Sequence, residues 1–296
     1  MGKIIWLASY PKSGNTWLRT FLTNLWGKQE EPADINQLDD RPIASSRYLF
    51  DEAMGIEASD LTATEIELYR PAVYEHMTTT SEQTLFMKTH DAYTYNQAGR
   101  PLLSRSATQG VIYLIRNPLD VAISYAHHSA ITLDEAITWM GTAKQCLCRS
   151  RHGISNQLRQ RLLTWSEHVV SWIDEPNLPL QVVRYEDMVA DPVATFTAIV
   201  RFAGLPDDPQ QIERAIAFSR FEVLQSQEYQ RGFGEKPLGM QSFFRRGQPG
   251  EWRERLNPAQ VQQIIHDHGP VMRRFGYLDE QMLPVDQAVC FSADQK

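Results

Sequence analysis

Short apolar runs alternate with amphipathic stretches along most of the chain. Four runs are rich in Ile, Val, Leu or Phe and have the length of buried parallel strands; they span 3–9, 84–89, 110–115 and 179–184. Apolar residues at helical spacing occur between and after these runs, on faces formed by Leu119, Ile123 and Ala126; by Leu158, Leu162, Trp165, Val169 and Trp172; and by Val193, Phe196, Val200 and Ala203. Pro192 is placed to begin the last of these helices. The alternation predicts an α/β fold, with a central parallel sheet flanked by helices.

Two long segments lack such periodicity. Residues 34–55 and 227–249 carry Gly, Pro and charge, and we expect both to be long loops, which in compact domains are usually lids or binding segments. Residues 283–296 show no period, so we expect a partly disordered tail behind a single domain formed by residues 1–282.

Composition and charge narrow the classes of function. The 296 residues are 42% hydrophobic, yet no apolar run approaches a membrane span of roughly 18 residues and no signal peptide fits before the first strand, so we expect no membrane partner. Three cysteines are too few for a disulfide framework or a zinc site, which favours the cytoplasm. The net charge of −7 argues against nucleic-acid binding. Locally basic stretches nevertheless suit a focused anion site; they contain Arg116, Arg231, Lys236, Arg245, Arg246, Arg253 and Arg255.

The first strand leads into a turn and a helix that could hold a phosphate group. The turn carries Lys12, Ser13, Gly14 and Asn15, so backbone N–H groups and the helix dipole would face an anion whose counter-charge is the lysine. Gly14 would allow a close approach of the backbone. The nucleotide-kinase pattern G-x-x-x-x-G-K-[ST] is absent. Taken alone, the turn fits an ordinary polar connection equally well.

Three further segments carry polar side chains that extend this picture. The second strand ends in Met87-Lys-Thr-His-Asp91, the third leads into Tyr113-Leu-Ile-Arg-Asn-Pro-Leu-Asp-Val-Ala-Ile-Ser124, and Phe244-Arg-Arg-Gly-Gln-Pro-Gly-Glu-Trp252 lies near the C-terminus. Ligands of open parallel sheets bind beyond the carboxyl ends of the strands. We therefore expect one rim of the sheet to gather Lys12, Lys88, His90 and Arg116.

With these motifs in this order, the sequence resembles the soluble, cytosolic-type sulfotransferases that use 3′-phosphoadenosine 5′-phosphosulfate (PAPS), over roughly residues 4 to 275. The resemblance implies a P-loop-like nucleotide-binding fold, a small-molecule acceptor, the desulfonated product 3′,5′-bisphosphoadenosine (PAP) and no metal. It implies that Lys12, Lys88 and His90 are catalytic, with His90 the general base. The implied donor-binding residues are Lys12, Ser13, Gly14, Asn15, Thr16, Trp17, Arg116, Ser124, Tyr185, Ser219, Phe221, Arg245, Arg246 and Gly247.

Within this set the resemblance assigns separate tasks. The turn around Lys12 would hold the 5′-phosphosulfate, and Arg116 with Ser124 would grip the 3′-phosphate. Arg245-Arg-Gly247 would close over that same phosphate, and Tyr185 would be the family's strand-end tyrosine. The adenine would lie among Trp17, Ser219 and Phe221.

The sequence departs from the family pattern at several positions. Asn15 replaces a threonine, Arg246 replaces a lysine, and Asp91-Ala92 replaces the Leu-Pro that often follows Lys-Thr-His. The last change affects the acceptor pocket. The dimerisation motif of the family is not recognisable, so the oligomeric state stays open.

The chemistry explains why such residues are needed. Sulfuryl transfer resembles phosphoryl transfer, in which proteins mainly align the reactants and stabilise charge. Lys12 and Lys88 would meet the negative charge that grows on the leaving oxygen. His90 would take the proton of the acceptor, because an ordinary histidine pKa lies close to neutral pH.

Several alternatives stay open from the sequence. A small-molecule kinase would need a Walker A sequence, and a non-catalytic nucleotide-binding module would not need Lys12, Lys88 and His90. The acceptor could be a phenol, an alcohol, an amine or a microbial secondary metabolite.

Other residues and one segment receive structural interpretations. His127 and His128 fit helix-surface or packing positions, and Glu186 with Asp187 fits the start of a helix. We expect residues 227–250 to form a mobile lid, because two adjacent arginines should repel each other until a phosphate binds.

Overall fold

The computed structural model describes residues 3–27, 30–38, 43–148, 155–237 and 239–285. In chain order the strands are β1 (Ile4–Ser9), β2 (Leu85–Thr89), β3 (Thr108–Ile115), β4 (Cys146–Leu147), β5 (Gln160–Arg161) and β6 (Leu180–Arg184). The helices up to β6 are α1 (Asn15–Trp26), α2 (Arg47–Met54), α3 (Ala63–Thr80), α4 (Pro118–Ser129), α5 (Leu133–Met140) and α6 (Trp165–Ile173), with a 3₁₀ turn at Ala58–Asp60. After β6 come α7 (Tyr185–Ala190), α8 (Pro192–Phe202), α9 (Pro209–Phe218), α10 (Phe221–Arg231), α11 (Trp252–Arg255) and α12 (Pro258–Arg274).

The central sheet has the strand order β2-β1-β3-β6. β1 pairs in parallel with β2 on one side and with β3 on the other. Every residue of β1 is buried, which explains why its sequence is apolar without alternation. The α/β class and the parallel sheet predicted from the sequence are confirmed, and the four predicted strands lie within two residues of the observed ones.

Four predictions about local structure are wrong in part. The expected loop 34–55 contains α2, and the expected loop at 227 begins inside α10. The apolar face assigned to Leu158 and Leu162 is not helical there, because α6 begins only at Trp165 after a capping box formed by Thr164 and Glu167. Val193 belongs to α8 but is exposed, whereas the other members of its predicted face are buried. Most of the expected disordered tail, residues 286–296, lies outside the described residues.

By internal contacts the chain divides into two compact units. The first comprises Met1–Tyr10, Asp40–Leu114 and Thr142–Val182. Its core includes Trp6, whose ring meets Tyr74 edge-on at 5.1 Å between centroids. No helix among the described residues is long and apolar enough to cross a membrane.

The second unit comprises Pro11–Asp39, Ile115–Gly141 and Val183–Lys296. Its core includes Phe21 of α1 stacked on Phe196 of α8, with ring centroids 4.1 Å apart. The single-domain organisation expected from the sequence stays a prediction.

Candidate active site

The imidazole of His90 lies in the first unit, at the carboxyl ends of two neighbouring strands. β1 and β2 run in parallel with Ala8 opposite Thr89, so Ser9 and His90 follow at the same edge. His90 Nδ1 lies 2.9 Å from the carbonyl oxygen of Ser9 and 3.2 Å from its hydroxyl. A carbonyl oxygen can only accept a hydrogen bond, so Nδ1 carries the proton in the neutral ring. The lone pair is therefore on Nε2, the nitrogen able to take a proton.

The main chain on both sides of His90 is also fixed. The carbonyl of Lys88 accepts a hydrogen bond of 2.9 Å from the N–H of Ala44. The carbonyl of His90 itself lies 3.1 Å from Nε2 of His168, a buried residue of α6. Sequence reasoning missed His168, although it lies on the same buried helix face as Trp165 and Trp172, where an apolar residue would be expected. A histidine on an otherwise apolar helix face was the sequence signal that could have identified it.

Asp91, the departure from the family pattern, has a structural role. Its carboxylate forms a buried ion pair with Arg70 of α3, at 2.7 Å and 3.2 Å. One of its oxygens also accepts the N–H of Arg161, and its carbonyl accepts the indole N–H of Trp172. Burial alone would lower the pKa of the Arg70 guanidinium, but the Asp91 carboxylate raises it above its ordinary value. The segment after His90 is therefore held by charge instead of by a proline.

In the second unit, the turn before α1 adopts an unusual backbone. Lys12 has φ of 70° and Gly14 has φ of 102°. Both values are positive, a backbone conformation that favours glycine, and Gly14 meets this preference. A Cβ on Gly14 would lie 2.8 Å from the ring of Tyr185, so the close approach of that ring also needs glycine. Asn15 and Thr16 are the first two residues of α1, so their backbone N–H groups lie at the positive end of the helix dipole.

The ammonium group of Lys12 lies against two side chains that the sequence did not connect with it. Its Nζ is 3.3 Å from Nδ1 of His128 on α4 and 4.1 Å from the ring centroid of Phe243. His128 therefore contacts a candidate catalytic lysine, which its position in a helical pattern did not reveal. His127 has a packing role, since its Nε2 lies 3.0 Å from the carbonyl of Ser242.

Arg116 and Ser13 give this turn the character of an anion site. The guanidinium of Arg116 donates to the carbonyl of Lys12 at 3.3 Å and lies 4.3 Å from the ring centroid of Tyr185. Arg116 Nε and Ser13 Oγ are buried and have no hydrogen-bond partner among the described residues. Buried donors of this kind are costly unless a ligand satisfies them, and an anion would satisfy both. Ser124, two turns into α4, is half-buried.

Tyr185 connects the turn with the C-terminal arginine segment. Its hydroxyl donates to the carbonyl of Gly247 at 2.8 Å. Gly247 has φ of 66°, and a Cβ there would lie 2.2 Å from the ring of Phe221. Trp17 packs edge-on against Tyr185 at 5.9 Å. Ser219 is fully buried, and its hydroxyl donates to the carbonyl of Ala215 at 2.8 Å.

The two adjacent arginines already have partners of opposite charge. Arg245 forms two hydrogen bonds with Glu251, and Arg246 donates to Glu254 at 3.0 Å and 3.2 Å. Burial would raise the pKa of Glu251, but the hydrogen bond and charge of Arg245 lower it overall. The expected repulsion that would leave the lid open is therefore wrong, because carboxylates in the same segment compensate both charges.

Buried carboxylates also anchor the rest of this segment. Glu228 accepts the backbone N–H groups of Phe243 and Phe244 at 2.7 Å and 2.8 Å. Asp120 of α4 accepts those of Gly250 and Trp252 at 2.6 Å and 3.1 Å. Sequence reasoning missed both carboxylates, because their partners are distant backbone groups.

The acidic pair Glu186 and Asp187 lies in the first turn of α7, as predicted. Glu186 is buried, which raises the pKa of its carboxyl group, and it accepts the N–H of Asn117 and the hydroxyl of Tyr277 at 3.0 Å each. The pair is thus part of the framework of the second unit.

Comparison with known proteins identifies the family of the chain. The sulfotransferase domain family matches residues 3–276, so the chain belongs to that family and is an enzyme of the sulfotransferase class. A curated relative, flavonol 3-sulfotransferase from Flaveria bidentis, is 24% identical, over 88% of this chain and 78% of its own.

Two solved structures share the fold. One is retinol dehydratase in complex with androsterone and the inactive cofactor PAP, with a TM-score of 0.60, 19% identity, and coverage of 94% of this chain and 83% of that one. The other is a mouse sulfotransferase complexed with PAP, with a TM-score of 0.59, 18% identity, and coverage of 92% and 85%.

Proposed function

We propose that this enzyme transfers the sulfuryl group of PAPS to a hydroxyl or amine of a small-molecule acceptor by in-line displacement, with His90 as the general base. The observation that carries the proposal is the hydrogen bond from His90 Nδ1 to the Ser9 carbonyl. It fixes the tautomer that a base needs, with the lone pair on Nε2 before the reaction begins.

The donor would be held by the second unit. Arg116 Nε and Ser13 Oγ are buried donors that phosphate oxygens would satisfy, and the start of α1 adds backbone N–H groups and a favourable dipole. The residues present thus fit a nucleotide with several anionic groups. Two sulfotransferase-fold structures that contain PAP lend support to this donor class.

The bonds, the proton and the charge of this transfer are all accounted for by the two substrates and these residues. A bond forms between the acceptor atom and sulfur while the bond from sulfur to the 5′-phosphate oxygen breaks, and its electron pair leaves with the phosphate. The acceptor proton moves to His90 Nε2. Lys12 and Lys88 stabilise the charge on the departing oxygen, since a positioned cation contributes most where charge develops.

A small-molecule acceptor is supported by the similarity to flavonol 3-sulfotransferase, whose name specifies a flavonol acceptor. The segment beside His90 is anchored by the buried pair of Arg70 and Asp91. This segment would therefore form a rigid part of the acceptor pocket. A rigid boundary next to the base favours one orientation of the reacting group.

The test uses the intact enzyme, radiolabelled PAPS and a panel of phenols, alcohols and amines. We expect transfer of label to at least one acceptor. His90→Ala should lower kcat by about 10²–10⁴-fold, the usual effect of losing a positioned base, while PAP affinity measured by calorimetry stays close to wild type.

A matched control is His127→Ala. Within the described residues, the His127 ring forms its hydrogen bond with the backbone carbonyl of Ser242 in the second unit. It should leave kcat unchanged. Near-wild-type turnover of His90→Ala at saturating substrates would remove His90 as the base. No binding of PAP by the wild-type chain would remove the donor assignment.

A further inference from the structure

His168, buried in α6, connects His90 with the hydroxyl of Tyr113 in the first unit. Its Nε2 lies 3.1 Å from the carbonyl of His90, and its Nδ1 lies 2.8 Å from the Tyr113 oxygen. The His90 carbonyl can only accept, so Nε2 of His168 carries the proton and Nδ1 accepts from the tyrosine. Burial lowers the pKa of His168 to about 4, so the ring is neutral under ordinary assay conditions and this tautomer holds.

The same hydrogen bonds return to the imidazole of His90. Burial raises the pKa of the Tyr113 hydroxyl, and a backbone hydrogen bond with Tyr10 opposes this by lowering it. Only a donor lowers the pKa of a phenol in this way, so we assign this bond to the N–H of Tyr10. That N–H belongs to the peptide group whose carbonyl, on Ser9, accepts Nδ1–H of His90. The donors and acceptors therefore form a path that begins and ends on His90 and is closed by the covalent structure of that residue: His90 side chain, Ser9–Tyr10 peptide, Tyr113, His168 and the His90 carbonyl. The hydrogen bonds all run in one donor-to-acceptor direction from the His90 side chain to the His90 carbonyl, so each polarises the next along that path.

We propose that His168 is a positioning residue for His90, and that this ring of hydrogen bonds, named here the His90 ring, fixes the base and strengthens when His90 takes up the acceptor proton. The inference rests on the proposed function, in which His90 is the base. Once Nε2 is protonated, Nδ1–H becomes a charge-assisted donor to the Ser9 carbonyl, and hydrogen bonds of that kind are roughly twice as strong as neutral ones.

The burial of these groups favours such a role over simple packing. His168 lies between Trp165 and Trp172 on the apolar face of α6, and all three side chains are almost completely buried. An aliphatic residue would fill this position without the desolvation of two ring nitrogens. Tyr113 is fully buried as well, and burial raises the pKa of its hydroxyl well above the ordinary value, so it remains a donor. Both polar groups have their hydrogen-bonding capacity met within the ring.

The test compares His168→Phe, His168→Gln and Tyr113→Phe with Ser171→Ala as the matched control. Ser171 lies on the same helix, accepts the N–H of Tyr93 at 3.0 Å and donates to the backbone carbonyl of His168 at 2.8 Å. Its loss therefore removes buried hydrogen bonds of the same helix but neither of the bonds that the His168 ring makes. We expect kcat of His168→Phe to fall by up to about 10²-fold, the effect of a misplacement of about 1 Å, with KM unchanged. His168→Gln keeps an N–H donor at the Nε2 position and should recover most of the rate, Tyr113→Phe should be intermediate, and Ser171→Ala should match wild type.

A second measurement does not depend on activity. Nitrogen-15 NMR of histidine-labelled enzyme reports the tautomer and pKa of His90 in each variant. We expect the Nδ1–H form in wild type, and in His168→Phe a lower His90 pKa or a mixture of tautomers. If His168→Phe does not fold, Tyr113→Phe and His168→Gln carry both measurements.

The outcomes separate this inference from the proposed function. A folded His168→Phe with wild-type kcat and an unchanged His90 spectrum would overturn the His90 ring. A fully active His90→Ala would overturn His90 as the base, while altered His90 spectra in the His168 variants would still support the ring as a structural device. A loss of rate equal in Ser171→Ala and His168→Phe would show that α6 acts only through general stability.

Discussion

Arg116 gives the sharpest test of how the donor is held. In the structure its guanidinium contacts the Lys12 carbonyl at 3.3 Å and the Tyr185 ring at 4.3 Å, and its Nε is buried without a partner among the described residues. Arg116→Ala removes the two observed contacts, which shape the turn for any nucleotide. It also removes the proposed contact with the 3′-phosphate, which only a 3′-phosphorylated nucleotide would make.

The magnitude follows from the contact that differs. A hydrogen bond to a charged group contributes about 1.5–3 kcal/mol, and each 1.4 kcal/mol is tenfold, so the variant should lose roughly ten- to a hundredfold more affinity for PAP than for adenosine 5′-phosphate. The weakened turn lowers the affinities for both nucleotides alike, so its effect cancels in the ratio of the two losses. Titration calorimetry of both nucleotides with both proteins gives this ratio directly.

Arg231→Ala is the matched control for loss of one positive charge in the same unit, since Arg231 is largely exposed and pairs with Asp34 at 3.2 Å. It should weaken both nucleotides equally and slightly. Equal losses for PAP and adenosine 5′-phosphate in Arg116→Ala would refute the assignment of Arg116 to the 3′-phosphate.

Three further predictions concern other contacts. Gly247→Ala puts a Cβ 2.2 Å from the Phe221 ring at φ of 66°, so thermal unfolding should show a loss of about 1–3 kcal/mol or more, and an unchanged melting temperature would contradict the geometry. Glu251→Gln weakens the hold on Arg245, so PAP should bind more tightly in calorimetry while the melting temperature falls; weaker binding would exclude competition between Glu251 and the nucleotide. Burial lowers the pKa of His168 from 6.5 to about 4 in the native protein. Between these two pH values the unfolded chain binds a proton on this ring and the native protein does not. The free energy of unfolding should therefore fall as the pH drops from 6.5 to about 4. Chemical denaturation should show about 3 kcal/mol of this loss in wild type and none of it in His168→Gln, and parallel pH curves would contradict the burial of a neutral ring.

The sequence predicted those parts of the fold that depend on local pattern. The four apolar runs became the central sheet, because buried parallel strands need unbroken hydrophobic sequence. α2 was missed because its apolar residues, Leu49, Phe50, Ala53 and Met54, cover only two turns inside a segment that otherwise lacks periodicity. The face assigned to Leu158 and Leu162 was wrong because two buried leucines in an extended segment happened to match a helical spacing, although Thr164 and Glu167 marked the true start of α6.

The residues of the candidate site likewise fall into those that the sequence identified and those that it did not. The residues in contiguous motifs, such as Lys12 and Arg116, were found, and the structure joins these two through the Lys12 carbonyl. Their binding and catalytic roles stay proposals. The residues that hold the motifs in place were not found, because His168 acts on a carbonyl that lies 78 positions earlier in the chain. Contacts between a side chain and a distant backbone group leave no periodic trace in sequence.

The buried pair of Arg70 and Asp91 sets a condition for exchanging acceptor specificity between relatives. Asp91 belongs to the segment directly after His90, which a designer of chimeric enzymes would transplant first, whereas Arg70 belongs to α3. Importing a Leu-Pro segment alone would strand a buried guanidinium, and breaking a buried pair in this way costs about 3–5 kcal/mol. Grafts should therefore carry both elements as one cassette, or replace both charges together.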